Sequence, residues 1–245
     1  MSARIAEDLG FEAGILAGST ASLAVLGAPD LIVLTLPELA EQARRIGRAA
    51  GIPLLVDADH GYGNALNVMR TVQELEAAGV AALTIEDTDL PRRFAASGPA
   101  LLTLAEGLGK IEAALAARTD PALVIVARTS ALAITGFADT LERVRAYSAA
   151  GADAIFLAGA DDASQVVAIG DAAGLPLIVA GDGGAVARIH LQGHQPIMAA
   201  IQAIHATMQA LRDGQAPSGL APAPLLRAVT RGAAYDGWTR DFLGT

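Results

Sequence analysis

The sequence predicts an α/β fold in which parallel strands alternate with helices, and three observations carry that prediction. Four phrases, Arg48-Ala49-Ala50-Gly51-Ile52-Pro53, Glu76-Ala77-Ala78-Gly79-Val80-Ala81, Ser148-Ala149-Ala150-Gly151-Ala152-Asp153 and Asp171-Ala172-Ala173-Gly174-Leu175-Pro176, each end a helix-period segment in glycine and lead into an apolar run. That is the pattern of a helix closed by a left-handed glycine and followed by a buried strand; Leu9-Gly10-Phe11-Glu12-Ala13-Gly14 is a looser copy. The apolar runs are short and rich in Ala, Val, Ile and Leu, with aromatic residues at only 4%, which suits strands buried on both faces under alanine-rich helices. The chain has 245 residues, and a closed α/β barrel takes about 250 as a single unit. Repeated helix-then-strand units imply right-handed crossovers between parallel strands, either closed as a barrel or open as a doubly wound sheet.

Taken in order, strands are expected at about 13–17, 53–57, 81–86, 122–128, 153–158, 176–180 and 188–192, and helices at about 2–9, 37–50, 64–78, 104–118, 138–150, 162–173 and 195–212. Two gaps keep the count below eight strands. No strand precedes the first helix, and residues 180–188 are too few for a crossover helix, since a parallel crossover needs about ten residues or more. Either the barrel is incomplete or the sequence omits segments. Residues 213–224 form a Pro/Gly/Ala linker, and Leu225 to Leu243, which carries the single tryptophan Trp238, reads as helical. That stretch is either a cap on its own domain or an arm reaching a neighbouring subunit. The expected division is thus 1–212 for the barrel and 213–245 for linker and arm.

Composition excludes several classes of function. A formal net charge of −9 without a basic cluster argues against nucleic acid as a partner. The absence of cysteine removes disulfides, thiolate metal sites and cysteine nucleophiles, so a metal would have to take oxygen or imidazole ligands. The acidic, amphipathic N-terminus is unlike a targeting peptide and no apolar run approaches ~20 residues. The expectation is a cytoplasmic protein, without a membrane partner, acting on small molecules or on other subunits.

In parallel α/β folds the C-terminal strand ends form the active face. The polar residues expected there are Gly18-Ser19-Thr20, Asp57, Asp59 and His60, Glu86 and Asp87, Arg128 and Thr129, and Gln192-Gly193-His194. Asp57, Asp59 and Glu86 together suggest Mg²⁺, a hard ion that takes oxygen ligands and keeps several waters; Mn²⁺ is the alternative ion. The competing reading is that strand-end aspartates cap the following helices. Arg128 offers a planar, bidentate donor for a substrate carboxylate or an ion pair with Glu86 or Asp87. Gly18-Ser19-Thr20, at a strand-to-helix turn, offers amides and hydroxyls to an anion. His190 and His205 read as structural, and His60 as a hydrogen-bonding group behind the acidic pair. His194 is the proton-handling candidate, or else a cap of the next helix.

Several of these segments together resemble the phosphoenolpyruvate mutase/isocitrate lyase superfamily: Gly18-Ser19-Thr20 followed by Leu26-Gly27-Ala28-Pro29-Asp30, then Asp57-Ala58-Asp59-His60-Gly61-Tyr62-Gly63-Asn64, Ile85-Glu86-Asp87 and Val126-Ala127-Arg128-Thr129. The similarity runs from about residue 3 to 212. It implies a modified (β/α)₈ TIM-type barrel, Mg²⁺, 2-keto-acid chemistry through an enolate, and a homo-oligomer, usually a tetramer with terminal helices exchanged between subunits. By this resemblance Asp57 is the principal metal-binding aspartate, while Asp30, Asp59 and Glu86 hold the metal's waters. Gly18, Ser19 and Thr20 receive the keto-acid carboxylate beside Arg128.

Departures from the superfamily pattern narrow the chemistry. The Lys-Lys-Cys-Gly-His loop of the isocitrate and methylisocitrate lyases and the lysine-rich gating loop of the mutases are both missing from residues 87–98. Leu191-Gln192-Gly193-His194-Gln195-Pro196 resembles the oxaloacetate decarboxylase branch, in which a histidine after the eighth strand enters the site. The family's N-terminal helix with its first strand, and its helix before the last strand, have no counterpart here, matching the two gaps. The expected activity is Mg²⁺-dependent decarboxylation of oxaloacetate, or a close 3-carboxy-2-keto acid, with Asp57, Arg128 and His194 at the chemistry. The alternatives are another C–C or C–P lyase, mutase or hydrolase acting on a 2-keto or 2-hydroxy acid, or a truncated homologue that binds keto acids without turnover.

Overall fold

All seven apolar runs become parallel strands, as expected of short apolar segments that follow a break in the helix period. The computed structural model describes residues 1–160, 162–180 and 184–244. In chain order the elements are α1 (Ser2–Asp8), β1 (Gly14–Leu16), α2 (Gly18–Leu26), α3 (Leu36–Ala49), β2 (Leu54–Asp57), α4 (Ala65–Ala77), β3 (Ala82–Glu86), α5 (Leu104–Ala117) and β4 (Val124–Thr129). They continue with α6 (Ala131–Ile134), α7 (Phe137–Ala149), β5 (Ala154–Leu157), α8 (Ala163–Ala173), β6 (Leu177–Ala180), a 3₁₀ turn (Gly184–Val186), β7 (Ala187–Leu191), α9 (Gln195–Arg212), α10 (Ala223–Val229) and α11 (Gly232–Leu243).

Two elements differ from expectation. Gly18-Ser19-Thr20 is the first turn of a helix, α2, that was not expected. Its sequence Ala21-Ser22-Leu23-Ala24-Val25-Leu26 has no polar face to mark a period, and Gly27 closes it at φ 64°. The C-terminal stretch forms two helices, because Arg231 between them is left-handed at φ 58°. In the gap expected before the last strand, Gly181, Asp182 and Gly183 lie outside the described residues.

The chain divides into two compact units, Ala13–Gly193 and a second made of Met1–Glu12 with His194–Thr245. The first is a nearly closed α/β barrel with strand order β1-β2-β3-β4-β5-β6-β7, every neighbouring pair parallel. Alternation along each strand separates two packing layers. Val56, Leu83, Ile85, Ile125, Ala127, Ile155 and Leu157 point outward into a core shared with the helices. Leu55, Val126, Ala154, Phe156 and Ile178 fill the barrel interior. Helix starts are capped by other residues than the acidic strand ends: Thr35 with Glu38 for α3, Asn64 for α4 and Thr103 with Glu106 for α5. In the second unit Arg231 pairs with Glu7 at 3.0 Å and Asp8 at 2.6 Å, and Arg4 Nη1 donates to the Val229 carbonyl at 3.1 Å, so α1 is fastened to the α10–α11 corner.

Candidate active site

The barrel's two-residue alternation decides which polar side chains meet. Leu55 is an interior residue, so Asp57 two positions on faces the interior at the strand's C-terminal end; likewise Val126 leads to Arg128, and Ala82 to Thr84 and Glu86. Strand register brings them together, since Asp57 lies opposite Thr84, Glu86 opposite Arg128, and Arg128 opposite Phe156. Arg128 Nη1 donates to Asp57 Oδ2 at 2.5 Å, and its Nε lies 3.6 Å from Glu86 Oε2. The guanidinium sits over the Phe156 ring at 5.2 Å. Thr84 Oγ1 donates to Asp57 Oδ1 at 2.8 Å, and Thr88 Oγ1 to Glu86 Oε2 at 2.9 Å.

Asp59 reaches the same place from a tight turn. It is left-handed at φ 48°, followed by Gly61, Tyr62 and Gly63, all with positive φ. Three consecutive carbonyls of this turn are each held from a different element. The Glu86 amide donates to the Asp59 carbonyl at 2.9 Å, Lys110 Nζ of α5 to the His60 carbonyl at 2.8 Å, and Thr71 Oγ1 of α4 to the Gly61 carbonyl at 3.0 Å. Two glycines are required here: a Cβ on Gly61 would lie 2.4 Å from Val68 Cγ2, and one on Gly18 would lie 2.7 Å from Asp59 Oδ1. The start of α2 therefore abuts the Asp59 carboxylate, and two residues on, the hydroxyl of Thr20 is buried without a hydrogen-bond partner among the described residues.

Electrostatically the cluster is short of positive charge. Burial, then the like charges of Asp57, Glu86 and Asp30, push Asp59 up to about 8, against a smaller opposing pull from Arg128. Glu86 is raised by burial, which Arg128 only partly offsets. For Arg128 burial alone would lower the value, but Asp57 and Glu86 outweigh it and hold the guanidinium above its ordinary value. His60 is driven down to about 4 by burial and then by Lys110, so it is neutral at pH 7.

The structure thus brings together Asp57, Asp59, Glu86 and Arg128, with Gly18 against Asp59. Asp30 stands in the exposed loop after α2, which Ser22 Oγ fastens by donating to the Pro29 carbonyl at 3.2 Å. His194 is the exposed residue preceding α9 and belongs to the second unit; it makes no side-chain cap there. Among the described residues no three His, Asp or Glu side chains converge as joint ligands of one ion. Arg128 occupies Asp57 instead. Two residues of the site went unread in the sequence. Thr84 shared the alternation with Glu86, and Lys110 is the single lysine of the chain, 6% exposed.

A parallel α/β barrel with buried carboxylates and one arginine at its C-terminal strand ends has the frame of a barrel enzyme. The phosphoenolpyruvate phosphomutase family model matches residues 1–216, and the chain belongs to that family. A relative from Rhodopseudomonas palustris (strain BisA53), named oxaloacetate decarboxylase, is 56% identical over 257 residues, covering 100% of this chain and 89% of the relative. Among solved structures, oxaloacetate acetylhydrolase in complex with the inhibitor 3,3-difluorooxalacetate superposes with a TM-score of 0.86 at 31% identity, over 99% of this chain and 89% of that one. Phosphonopyruvate hydrolase in complex with oxalate and Mg²⁺ does so with a TM-score of 0.85 at 29% identity, over 99% and 90%.

Proposed function

We infer that this protein is a carboxy-lyase that converts oxaloacetate, or a close 3-carboxy-2-keto acid, to pyruvate and CO₂ through an enolate. The reading is supported by full-length similarity to a relative named oxaloacetate decarboxylase. The structural observation that carries it is the inward-facing set of Asp57, Glu86 and Arg128 on three adjacent strand ends.

Mg²⁺ fits this set, with Mn²⁺ as the alternative. The donors are all oxygens, and the carboxylates outnumber the one arginine so far that Asp59 holds its proton up to about pH 8. Asp57 would hold the ion directly, and Asp59, Glu86 and Asp30 would hold its waters. When bound, the ion supplies Lewis-acid stabilisation of the negative charge that grows on the substrate's keto oxygen.

The chain's own residues bind and orient the substrate. Arg128 pairs with the C1 carboxylate; its Nε is buried without a hydrogen-bond acceptor among the described residues, a donor available to a substrate oxygen. The α2 N-terminus, with the Gly18–Thr20 amides and the Thr20 hydroxyl, faces the same carboxylate. The C3–carboxylate bond then breaks, its electron pair forms the C2=C3 double bond as the C2=O π pair moves onto the keto oxygen, and CO₂ departs. Protonation at C3 gives pyruvate, with His194 orienting the substrate or delivering that proton. A proton NMR time course with oxaloacetate and Mg²⁺ tests the reading. Pyruvate as product supports it, whereas acetate with oxalate would replace it with hydrolysis.

The same reading includes a homo-oligomer, tetrameric by resemblance, with residues 213–245 as linker and arm and a cytoplasmic location. Exposed Met198, Ile204, Met208, Trp238 and Phe242 on α9 and α11 support self-association. Light scattering of the purified chain would test it, a monomer counting against it.

A further inference from the structure

Outside the strand ends lies a buried polar cluster that this chemistry does not use. Asp87 directly follows Glu86 and is 2% exposed. Its Oδ2 accepts from Tyr147 Oη at 2.7 Å, Arg143 Nη1 at 3.0 Å and Thr129 Oγ1 at 3.0 Å. Its amide donates to the Arg128 carbonyl at 3.3 Å, and its carbonyl accepts from the Leu102 amide at 2.8 Å. Arg143 Nη2 in turn donates to the Leu102 carbonyl at 3.0 Å. One residue therefore holds β4 at two points directly after the Arg128 side chain, its amide on the carbonyl of residue 128 and its carboxylate on the hydroxyl of residue 129. A carboxylate this deeply buried is tolerable only while it is paired and hydrogen-bonded, and two of its three side-chain donors come from α7. There is no slack behind them: a Cβ on Gly107 of α5 would lie 2.4 Å from Tyr147 Oη and 3.3 Å from Asp87 Cβ.

We propose that Arg143 and Tyr147 are positioning residues that act through Asp87 to set how Arg128 leaves β4 and Glu86 leaves β3, and hence how the substrate carboxylate is held. The proposal rests on the functional reading above. An arginine that pairs with a carboxylate unchanged by the reaction stabilises ground state and transition state alike, so its misplacement shows in KM more than in kcat.

The test uses the full chain with Mg²⁺ and four variants, Tyr147→Phe, Arg143→Lys, Gly107→Ala and Gly107→Ala/Tyr147→Phe, assayed well below each melting temperature. In Tyr147→Phe and Arg143→Lys, KM for oxaloacetate rises on the order of tenfold, with kcat falling less than about threefold. Gly107→Ala raises KM further because its methyl displaces the Tyr147 hydroxyl, and the double variant returns to the Tyr147→Phe value because the clashing oxygen is gone. Calorimetric titration with oxalate reads the same clamp without turnover and weakens by the same factor. Melting temperatures that fall while KM and oxalate affinity stay within twofold of wild type would overturn the proposal. A wild type that binds oxalate but forms no pyruvate would overturn the functional reading alone, and the oxalate affinities of the variants would still decide the positioning roles.

Discussion

Strands β2 to β5 and strand β7 belong to one sheet but live in different surroundings. Every residue of β2 and β5 is buried, and β3 and β4 are buried along most of their length, whereas no residue of β7 is. Part of the difference is cover. Helices α3, α4, α5 and α7 each precede and shield one of the first group, while among the described residues only a 3₁₀ turn stands between β6 and β7. Cover and sequence act together: β7 carries Arg188 and His190, and Ile189, opposite the interior residue Ile178, lies on the last strand of the sheet order. The covered sector also carries the acidic residues, and its low polarity gives their mutual repulsion its force.

The largest expected effect tests whether the covered sector is the chemical one. Asp57→Ala should lower Mg²⁺-dependent pyruvate formation by about 10³-fold or more, roughly 4 kcal/mol of barrier, as followed by NMR; an undiminished rate would remove Asp57 from the site. Next in size is the contrast in packing. Leu83, with no exposure, and Ile189, 38% exposed, should respond differently to alanine. Urea unfolding should show a loss of about 3 kcal/mol for Leu83→Ala and below about 1 kcal/mol for Ile189→Ala. Equal losses would mean that β7 is covered in solution.

A third experiment probes the charge shortage. Asp59 titrates at about 8 in the folded chain against an unperturbed 3.8. As pH rises between those values the unfolded chain releases a proton that the folded one retains. Metal-free protein therefore keeps this contribution to stability below about pH 4 and loses it progressively toward pH 8. Asp59→Asn should raise metal-free stability at pH 8 by on the order of 2 kcal/mol, with the two proteins converging as the pH falls; a variant that is less stable at pH 8 would contradict the repulsion. The smallest effect concerns Thr84. Thr84→Val removes a single hydrogen bond to Asp57 and should weaken Mg²⁺ binding, measured by calorimetry, about tenfold. An unchanged affinity would show that Asp57 does not need that anchor.

Strand positions were legible because glycine-ended helices and apolar runs are local signals, and the acidic strand ends were legible for the same reason. Helix α2 was not, since an almost wholly apolar segment has no face to reveal its period. Lys110, Arg143 and Tyr147 were hidden for another reason: each looks like an ordinary charged or aromatic position on an amphipathic helix until the partner strand is known. Thr84 was readable in principle, two residues before Glu86 on the same face, but threonine is common in strands and its hydroxyl has meaning only opposite Asp57.

By itself the sequence determined the order of helices and strands and that Asp57, Glu86 and Arg128 stand at C-terminal strand ends. Only the tertiary structure decided that Arg128 rests on Asp57, that Asp59 is crowded enough to hold a proton at neutral pH, and that Asp87 gathers donors from β4 and α7. The physical reason is range. Periodicity and turn chemistry act over a few residues, whereas ion pairing and desolvation depend on neighbours such as Arg128 and Asp57, 71 residues apart in the chain, that only the closing of the sheet brings together.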